Sequence, residues 1–312
     1  LDSVVLRSPQ AHVRRNAAGQ WDWAALAQGA ERPTKEGESL QAEPPAHAGG
    51  AWALSVQQFA AHGGALRWED DGVAGGVGLG VQDLAVSASA LSNSAAAPMQ
   101  WAASMKVAPL ERGRQAAGAL SQEAQANIAL AGAGALQEGR VALSVRRLPL
   151  EWGAPYLSAW FRPKLSGTLD TDAGLAWKAD RWAARVASLA VESASLVCVE
   201  AEDCPEPDRG RNLLRDRRTL AELQRLELED ARIDSARHAL HIGRIGLTQP
   251  RLRVERDPQG RWMVERWART APSGGSAKPD AAASSQTWSV ALGRLDLDGG
   301  VAVLRDASLQ ER

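Results

Sequence analysis

The sequence predicts a mainly β protein, built from an elongated antiparallel sheet with a few short helices. Three observations support this fold class. Short runs in which apolar and polar residues alternate are typical of strands with one buried and one solvated face. Turn-forming residues separate many of these runs at intervals of roughly eight to twelve residues, as between consecutive antiparallel strands. A segment near the start of the chain also recurs near its end, which indicates a repeated structural unit.

The repeat is clearest between residues 242 and 267, IGRIGLTQPRLRVERDPQGRWMVERW. When Pro250 is aligned with Pro9, 241 positions earlier, five further pairs match without a gap: Ile245 with Val4, Leu247 with Leu6, Val254 with Val13, Gly260 with Gly19 and Trp262 with Trp21. Each copy is followed by a spacer rich in Pro, Gly, Ala and Ser, and then by a second matching piece that begins at Trp52 or Trp288. The second pieces are 236 positions apart, so the spacers differ by five residues, which surface connections tolerate.

Each copy of the first piece has the pattern of a bent β-hairpin. The apolar alternation shifts by one residue around Pro9 and Pro250, which predicts a bulge or a bend. Residues 257–260, Asp-Pro-Gln-Gly, form a predicted turn, and residues 261–264 begin a predicted returning strand.

These pieces divide the chain into a first repeat unit, residues 1–240, and the start of a second, residues 241–312. The sequence is therefore expected to be an excerpt of a longer protein. The first unit comprises a hairpin (1–27), a flexible spacer (28–50), a β-meander (51–197) and an insert with a disulfide loop and a helix (198–226). The second comprises a hairpin (241–269), a flexible spacer (270–286) and strands (287–312).

Two segments have the spacing of helices rather than strands. Tyr156 and Trp160 would lie on one side of a short helix over residues 156–161. Residues 212–226 carry five leucines among charged residues, a moderately amphipathic pattern that predicts a second helix.

The two cysteines, Cys198 and Cys204, lie in a polar, turn-like stretch. A disulfide readily closes such a short loop, whereas two ligands alone make a poor zinc site. We predict a disulfide and hence an oxidising compartment, with two ordinary thiols as the alternative.

Composition and motifs argue against several classes of function. A formal net charge of −1 provides no basic surface, so no nucleic-acid partner is expected. The sequence contains no G-x-S-x-G motif, and the glycines between Gly72 and Gly80 lack the lysine of a phosphate loop. The five histidines are scattered without metal-ligand spacing: His12, His47, His62, His238 and His241. We therefore expect no enzyme, no cofactor and no metal site.

A resemblance to a known family is carried by four pieces of the chain: LRSPQAHVRRNAAGQWDW and LTQPRLRVERDPQGRW, each followed by a spacer and a Trp-led strand that ends in Gly-Gly, with LPLEWGAPYL and LSGTLDTDAGLAW between them. Together they resemble the large AsmA-like periplasmic proteins of Gram-negative bacteria, in particular the branch with repeated domains of unknown function. The resemblance covers most of the chain. Its motifs are patterns of apolar residues, glycines and turns, with no catalytic signature.

This resemblance implies an inner-membrane anchor outside the sequence and a twisted sheet curved into a groove, like a β-taco, with an apolar concave side. It also implies transport of phospholipid or other acyl lipid between the inner and outer membranes, with envelope proteins of both membranes as partners. A β-sandwich or a solenoid is the alternative fold. In that case the chain would be a periplasmic scaffold or a protein-interaction module.

Aliphatic side chains on the predicted strands are the candidates for the groove lining, with an ordinary sandwich core as the alternative: Leu54, Val56, Leu79, Val81, Leu143, Val145, Ile245, Leu247, Leu252 and Val254. The tryptophans at equivalent repeat positions, Trp21 with Trp262 and Trp52 with Trp288, are expected to close a sheet end or its turn rather than contact lipid.

Overall fold

The chain forms one large open β-sheet. The computed structural model describes residues 1–22, 55–92, 98–110, 125–135, 137–199, 204, 218–268 and 287–309. Its strands are β1 (Ser3–Arg7), β2 (Gln10–Arg15), β3 (Ser55–Asp70), β4 (Val77–Ser92), β5 (Met99–Pro109), β6 (Ala126–Gly134), β7 (Glu138–Pro149), β8 (Lys164–Lys178), β9 (Arg181–Val197), β10 (Thr219–Asp234), β11 (Ala239–Thr248), β12 (Arg251–Arg256), β13 (Ser289–Asp298) and β14 (Val301–Asp306). The prediction of a mainly β fold with few short helices is confirmed, and the described strands lie in a single sheet that does not close.

Strands β3 to β11 follow one another across the sheet in chain order, each antiparallel to the next. This arrangement matches the predicted meander, because alternating apolar runs separated by turns pair most simply with their sequence neighbours. Strands β3, β4 and β10 are each 16 residues long, which is about 50 Å. The meander is therefore the body of the molecule.

Parallel strand pairs flank the meander at both ends. Strands β1 and β2 lie end to end along β3 and pair with it in parallel, while β11 and β12 pair in the same way with β13 and β14. The predicted bend at each proline is confirmed: β1 ends before Ser8 and Pro9, and β11 ends before Gln249 and Pro250. Ser8 and Gln249 both have a φ of 48°, a conformation that interrupts an extended strand.

The two copies of the repeat have the same register. Ser3 pairs with Gln58, and the equivalent residues Arg244 and Arg294 pair with each other. Beyond the bend, the pairing of Gln10 with Ala65 recurs between the equivalent residues of β12 and β14. The repeat found in the sequence is thus a repeated unit of parallel pairing.

The predicted returning strand of the hairpin is wrong. The turn is present, because the Gly260 amide donates a 2.9 Å hydrogen bond to the Asp257 carbonyl oxygen. After the turn, however, the chain makes only an isolated bridge from Trp262 to Arg256 and then a 3-10 helix over Met263–Arg266. Strand β14, which arrives in parallel after the spacer, pairs with β12 along its other edge, so Arg256 has Asp306 on one side and Trp262 on the other.

An arginine fixes each turn to the sheet. Arg256 places its guanidinium carbon 5.5 Å from the centre of the Trp262 ring, and its Nε donates a 2.8 Å hydrogen bond to the Gly260 carbonyl oxygen. Arg15 and Trp21 repeat the contact at 5.7 Å in the first copy. Trp21 and Trp262 thus close their turns through these contacts.

The helical predictions need correction. Residues 150–153 form a 3-10 helix, and a single α-helical turn, α1 (Ala154–Leu157), follows. The predicted helix over residues 156–161 therefore begins and ends too late. The predicted helix over residues 212–226 is wrong from Thr219 onward, where the chain is strand β10. Residues 205–217 and the predicted spacers, residues 28–50 and 270–286, lie outside the described residues.

A disulfide joins Cys198 and Cys204, as their spacing predicts. Cys198 belongs to a small cluster of buried side chains with Leu220 and Met263, which come from β10 and the 3-10 helix after β12. Leu196, Cys204 and Trp267 pack against this cluster. The disulfide therefore fixes Cys204 to this buried cluster.

Replacing both cysteines by alanine should lower the free energy of unfolding by about 2 kcal/mol, because the short loop is no longer closed in the unfolded chain. Urea unfolding of the variant and of the original chain, each with and without dithiothreitol, checks this. The reductant should bring the original chain to the stability of the variant and leave the variant unchanged. Equal stability of both proteins without reductant would contradict the prediction.

Candidate functional site

The strand register gathers apolar side chains on one face of the sheet. Directly paired residues on neighbouring strands point to the same face, so a chain of such pairs traces a row across the sheet. One row crosses eleven strands and is aliphatic throughout: Leu6, Ala61, Val86, Ala103, Leu130, Leu143, Ala173, Val186, Ala231, Ile242 and Leu292. We call the surface built from this row and its neighbours on the same side the apolar face.

Three further rows extend the apolar face along the strands. The first contains only apolar residues: Val4, Phe59, Ala88, Trp101, Gly132, Val141, Leu175, Ala184, Ile233, Leu240 and Val290. The second contains one polar residue, Thr171, among Met105, Ile128, Val145, Leu189, Leu228, Ile245 and Leu295. The third is again apolar: Leu148, Leu169, Val191, Leu226, Leu247 and Leu297.

The Trp101 ring covers the position on the apolar face where Gly132 has no side chain. Gly132 pairs with Trp101, and a Cβ atom added to this glycine would overlap the indole ring. The ring therefore occupies the space that a side chain on β6 would fill, so the apolar surface continues across the glycine.

The described residues provide no second layer over this face. They form one sheet and only four helical segments of three or four residues each. Only twelve of their hydrophobic residues are buried, and most members of the rows are half-buried by their neighbours within the sheet. Leu175, near the middle of the sheet, remains 38% exposed. Among the described residues, the face is thus a broad apolar surface with no layer packed on it.

The opposite face, which we call the polar face, combines small side chains on some strands with ion pairs on others. Across β4 to β7 it carries small side chains, among them Ser87, Ala102, Ala131 and Ala142, which line shallow depressions of 770 and 810 Å³. From β7 onward it carries ion pairs between strands, such as Arg146 with Asp172 at 2.8 Å. Water can solvate these ion pairs, whereas the four rows of the apolar face contain a single polar side chain, that of Thr171.

Arg244 is the centre of the largest ion-pair group on the polar face. Its Nε lies 2.7 Å from an Asp296 carboxylate oxygen, and its Nη1 lies 2.9 Å from Glu229 and 3.6 Å from Glu227. Hydrogen bonds from Arg244 and then from Arg294 lower the pKa of Asp296 below its usual value. On β8, a hydrogen bond from Arg146 lowers the pKa of Asp172 in the same way. These carboxylates are therefore held in the charged form.

The structure places the predicted lining residues as follows. Eight belong to the apolar face or to its continuation along paired strands: Leu79, Val81, Leu143, Val145, Ile245, Leu247, Leu252 and Val254. Val56 is buried, pairs with Leu91 and corresponds through the repeat to Leu292 of the first row. Leu54 and Trp52 lie outside the described residues. Trp288 lies at the start of β13, with its ring 5.4 Å from that of His238.

Many members of the rows were not among the lining residues predicted from the sequence, including Leu130, Leu175, Leu189 and Leu226. Leu130 and Leu175 could have been predicted from the two-residue alternation of apolar side chains along β6 and β8. On β9, β10 and β11 the signal is broken, because consecutive members of the face are three residues apart, as with Val186 and Leu189 or Ile242 and Ile245. Asp230, with a φ of 52°, lies at this break and shifts the alternation by one residue.

Comparisons with protein-family models, curated proteins and solved structures give no match. Within the described part of the chain, no helix is long and apolar enough to cross a membrane. The same residues contain no group of three or more histidine, cysteine or acidic side chains placed to hold a metal ion.

Replacing Gly132 by alanine should lower the free energy of unfolding by about 1–3 kcal/mol, because the new methyl group displaces the Trp101 ring. The matched control is Gly174→Ala in β8, where the nearest atom to an added Cβ is 3.5 Å away. Urea unfolding monitored by circular dichroism checks both variants. An equal loss in the two variants would show that the Trp101 ring does not occupy the space above Gly132.

Low pH should destabilise the folded sheet, because carboxylates on its polar face become protonated. A carboxylate whose pKa is lower in the folded state adds stability above its unfolded pKa of about 3.9, and this stability is lost as the pH falls through the folded value. The free energy of unfolding should therefore decrease between about pH 5 and pH 2, and Asp296→Asn should make the decrease smaller. Identical pH profiles for the variant and the original chain would contradict the role of Asp296.

Proposed function

We propose that this chain is a segment of a periplasmic AsmA-like protein that carries phospholipid or other acyl lipid on its apolar face between the inner and outer membranes, without catalysis. The supporting observation is the set of apolar rows that crosses up to eleven strands with no covering layer among the described residues. An apolar surface of this extent is costly in water, and acyl chains are ligands that can cover it.

The binding energy would come from burial of methylene groups. Each buried methylene is worth about 0.8 kcal/mol, so an acyl chain that lies along one row gains several kcal/mol without any specific polar contact. Leu143 and Val145 on β7 have apolar counterparts in the same rows on β6, Leu130 and Ile128, and the pattern continues to both sides. A ligand therefore meets nearly equivalent positions at each step of about 4.8 Å between strands.

Binding positions of nearly equal affinity on successive strands are better suited to moving a lipid than to storing it. A single deep pocket would hold a lipid tightly in one place, whereas a series of similar shallow positions lets it move with small changes in free energy. Eleven strands side by side give a path of about 48 Å. The disulfide between Cys198 and Cys204 agrees with a location in an oxidising compartment such as the periplasm.

A scaffold or protein-interaction module is the second candidate. The polar face favours it, because its ion pairs and shallow depressions give a charged, uneven surface of the kind that another protein can recognise. The two candidates use opposite faces of the same sheet. Substitutions on each face therefore separate them.

Leu175→Asp should lower the affinity for phospholipid at least about tenfold, because it puts a charge into one of the apolar rows. Leu175 is partly exposed, so the variant is expected to fold. The measurement is transfer of a fluorescent phosphatidylethanolamine from vesicles to the protein purified without detergent. Lipid extraction and native mass spectrometry of the same preparation identify any lipid bound during expression.

The matched control is Ala176→Asp, which places the same charge on the next residue and the opposite face. It should leave lipid binding unchanged. Absence of lipid from the original chain in both assays, or equal loss of binding in both variants, would overturn the proposal. Loss of a protein partner on Ala176→Asp, with no lipid bound, would support the scaffold.

A further inference from the structure

Tryptophans border the apolar face at one end of its strands. A fifth row of paired residues lies directly beside the row that contains Trp101 and Leu175: Met99, Gly134, Gly139, Trp177 and Trp182. Trp288 lies two residues before Val290 of that same row, so it comes to the same end of the strands. We call Trp101, Trp177, Trp182 and Trp288 the tryptophan rim.

The rings of the tryptophan rim extend the apolar surface to the ends of the strands. A Cβ atom added to Gly139 would come within 2.6 Å of the Trp177 ring, so this ring covers the glycine beside it, as the Trp101 ring covers Gly132. Trp182 and Trp288 are 41% and 45% exposed. An indole combines a large apolar ring with one N–H donor, and it therefore favours the boundary between hydrocarbon and water.

The turn between β8 and β9 combines this rim with positive charge. Its residues 177–182 read Trp-Lys-Ala-Asp-Arg-Trp. Trp177 pairs directly with Trp182, and Lys178 pairs directly with Arg181. Because successive side chains in a strand point to opposite faces, the two tryptophans lie on the apolar face and the two cations on the polar face.

The cations of this turn are available to an anionic group. The Lys178 side chain is 75% exposed and forms only a surface ion pair with Glu138, at 3.1 Å. Arg181 forms no ion pair within the described part of the chain. Two cations against one acid, Asp180, leave the turn with a net charge of +1. This charge complements the phosphate groups of phospholipids.

The opposite end of the strands is covered by the chain itself. The Tyr156 hydroxyl donates a 3.1 Å hydrogen bond to the Asp70 carboxylate at the end of β3. Six residues later, the Arg162 amide donates a 2.9 Å hydrogen bond to the Trp267 carbonyl oxygen in the second repeat copy. At the rim, in contrast, β8 joins β9 and β10 joins β11 through turns of only two and four residues, 179–180 and 235–238. Among the described residues, the rim is therefore the less covered end of the apolar face.

We propose that the tryptophan rim is the surface by which this chain docks on the headgroup layer of a phospholipid membrane. The indole rings enter the interfacial region, while Lys178 and Arg181 contact lipid phosphates from the polar side. A bilayer surface fits better than a protein partner, because exposed tryptophans beside exposed cations match a boundary that is apolar on one side and anionic on the other. The inference rests on the proposed lipid transport, since a lipid would pass from the bilayer onto the aliphatic rows at this end.

Flotation on a density gradient with vesicles of phosphatidylethanolamine and phosphatidylglycerol, mixed about 3:1, measures the docking. We expect the purified chain to float with the vesicles. Trp182→Ala should lower its vesicle affinity about tenfold, because the exposed part of the ring no longer enters the interface. The matched control is Trp160→Ala, which removes a 63% exposed ring from the segment at the opposite end and should leave flotation unchanged.

Arg181→Glu tests the contribution of charge. It should lower the affinity for the same vesicles at least about fivefold, because a cation near the anionic surface is replaced by an anion. Arg181→Lys keeps the charge and should float like the original chain. Equal flotation of Arg181→Glu and the original chain would overturn the contact with phosphate.

Failure of the docking surface and failure of lipid transport give different results. If the original chain does not float, or if Trp182→Ala and Trp160→Ala lose affinity equally, the tryptophan rim is not the docking surface, whether or not native mass spectrometry finds bound lipid. If the chain floats through the rim but carries no lipid, docking stands and the proposed transport fails. A dimer that Trp182→Ala dissociates, without flotation, would show that a second copy covers the rim and would overturn the inference.

Discussion

Hydrogen bonding from strand to strand is the constraint on which this molecule depends. A sheet with no second layer among its described residues cannot rely on a packed core, so most of its stability must come from the backbone ladder and from side-chain pairs between neighbouring strands. The cluster of buried side chains that the described residues form, around Cys198, Leu220 and Met263, lies toward one end of the strands. Elsewhere each strand is held mainly by the strands beside it.

That dependence explains why the two faces differ so strongly. Ion pairs such as Arg244 with Asp296 connect neighbouring strands on the polar face, where water screens them and each contributes little alone. On the other side, rows of aliphatic residues shield one another only partly. The sheet is therefore stable as a layer while it keeps a large apolar surface, and this is the property that a lipid carrier needs.

The fold class, the meander and the disulfide followed from the sequence, because alternation and spacing are local signals. The parallel pairing did not, since β1 meets β3 across a spacer whose residues give no indication of direction. The predicted helix over residues 212–226 failed for a different reason. Leu223 and Leu226 are three residues apart, as on a helix, but both lie in strand β10, and Ser193, with a φ of 51°, interrupts the partner strand between their pairing positions. A bulge between two strands can thus place apolar residues three positions apart, which is the spacing expected of a helix.

Parallel pairing within each repeat copy also sets a minimum length for the connection between its strands. After β2 the chain must return along the whole of β3 before it can run in the same direction, a distance of about 50 Å. The 33 peptide steps from Asp22 to Ser55 can span about 110 Å, and the 28 steps between the equivalent residues of the second copy, Met263 and Ala291, can span about 92 Å. Both connections are therefore longer than the distance that they must cover. The five-residue difference between the spacers is free of structural cost only because even the shorter connection exceeds this geometric limit.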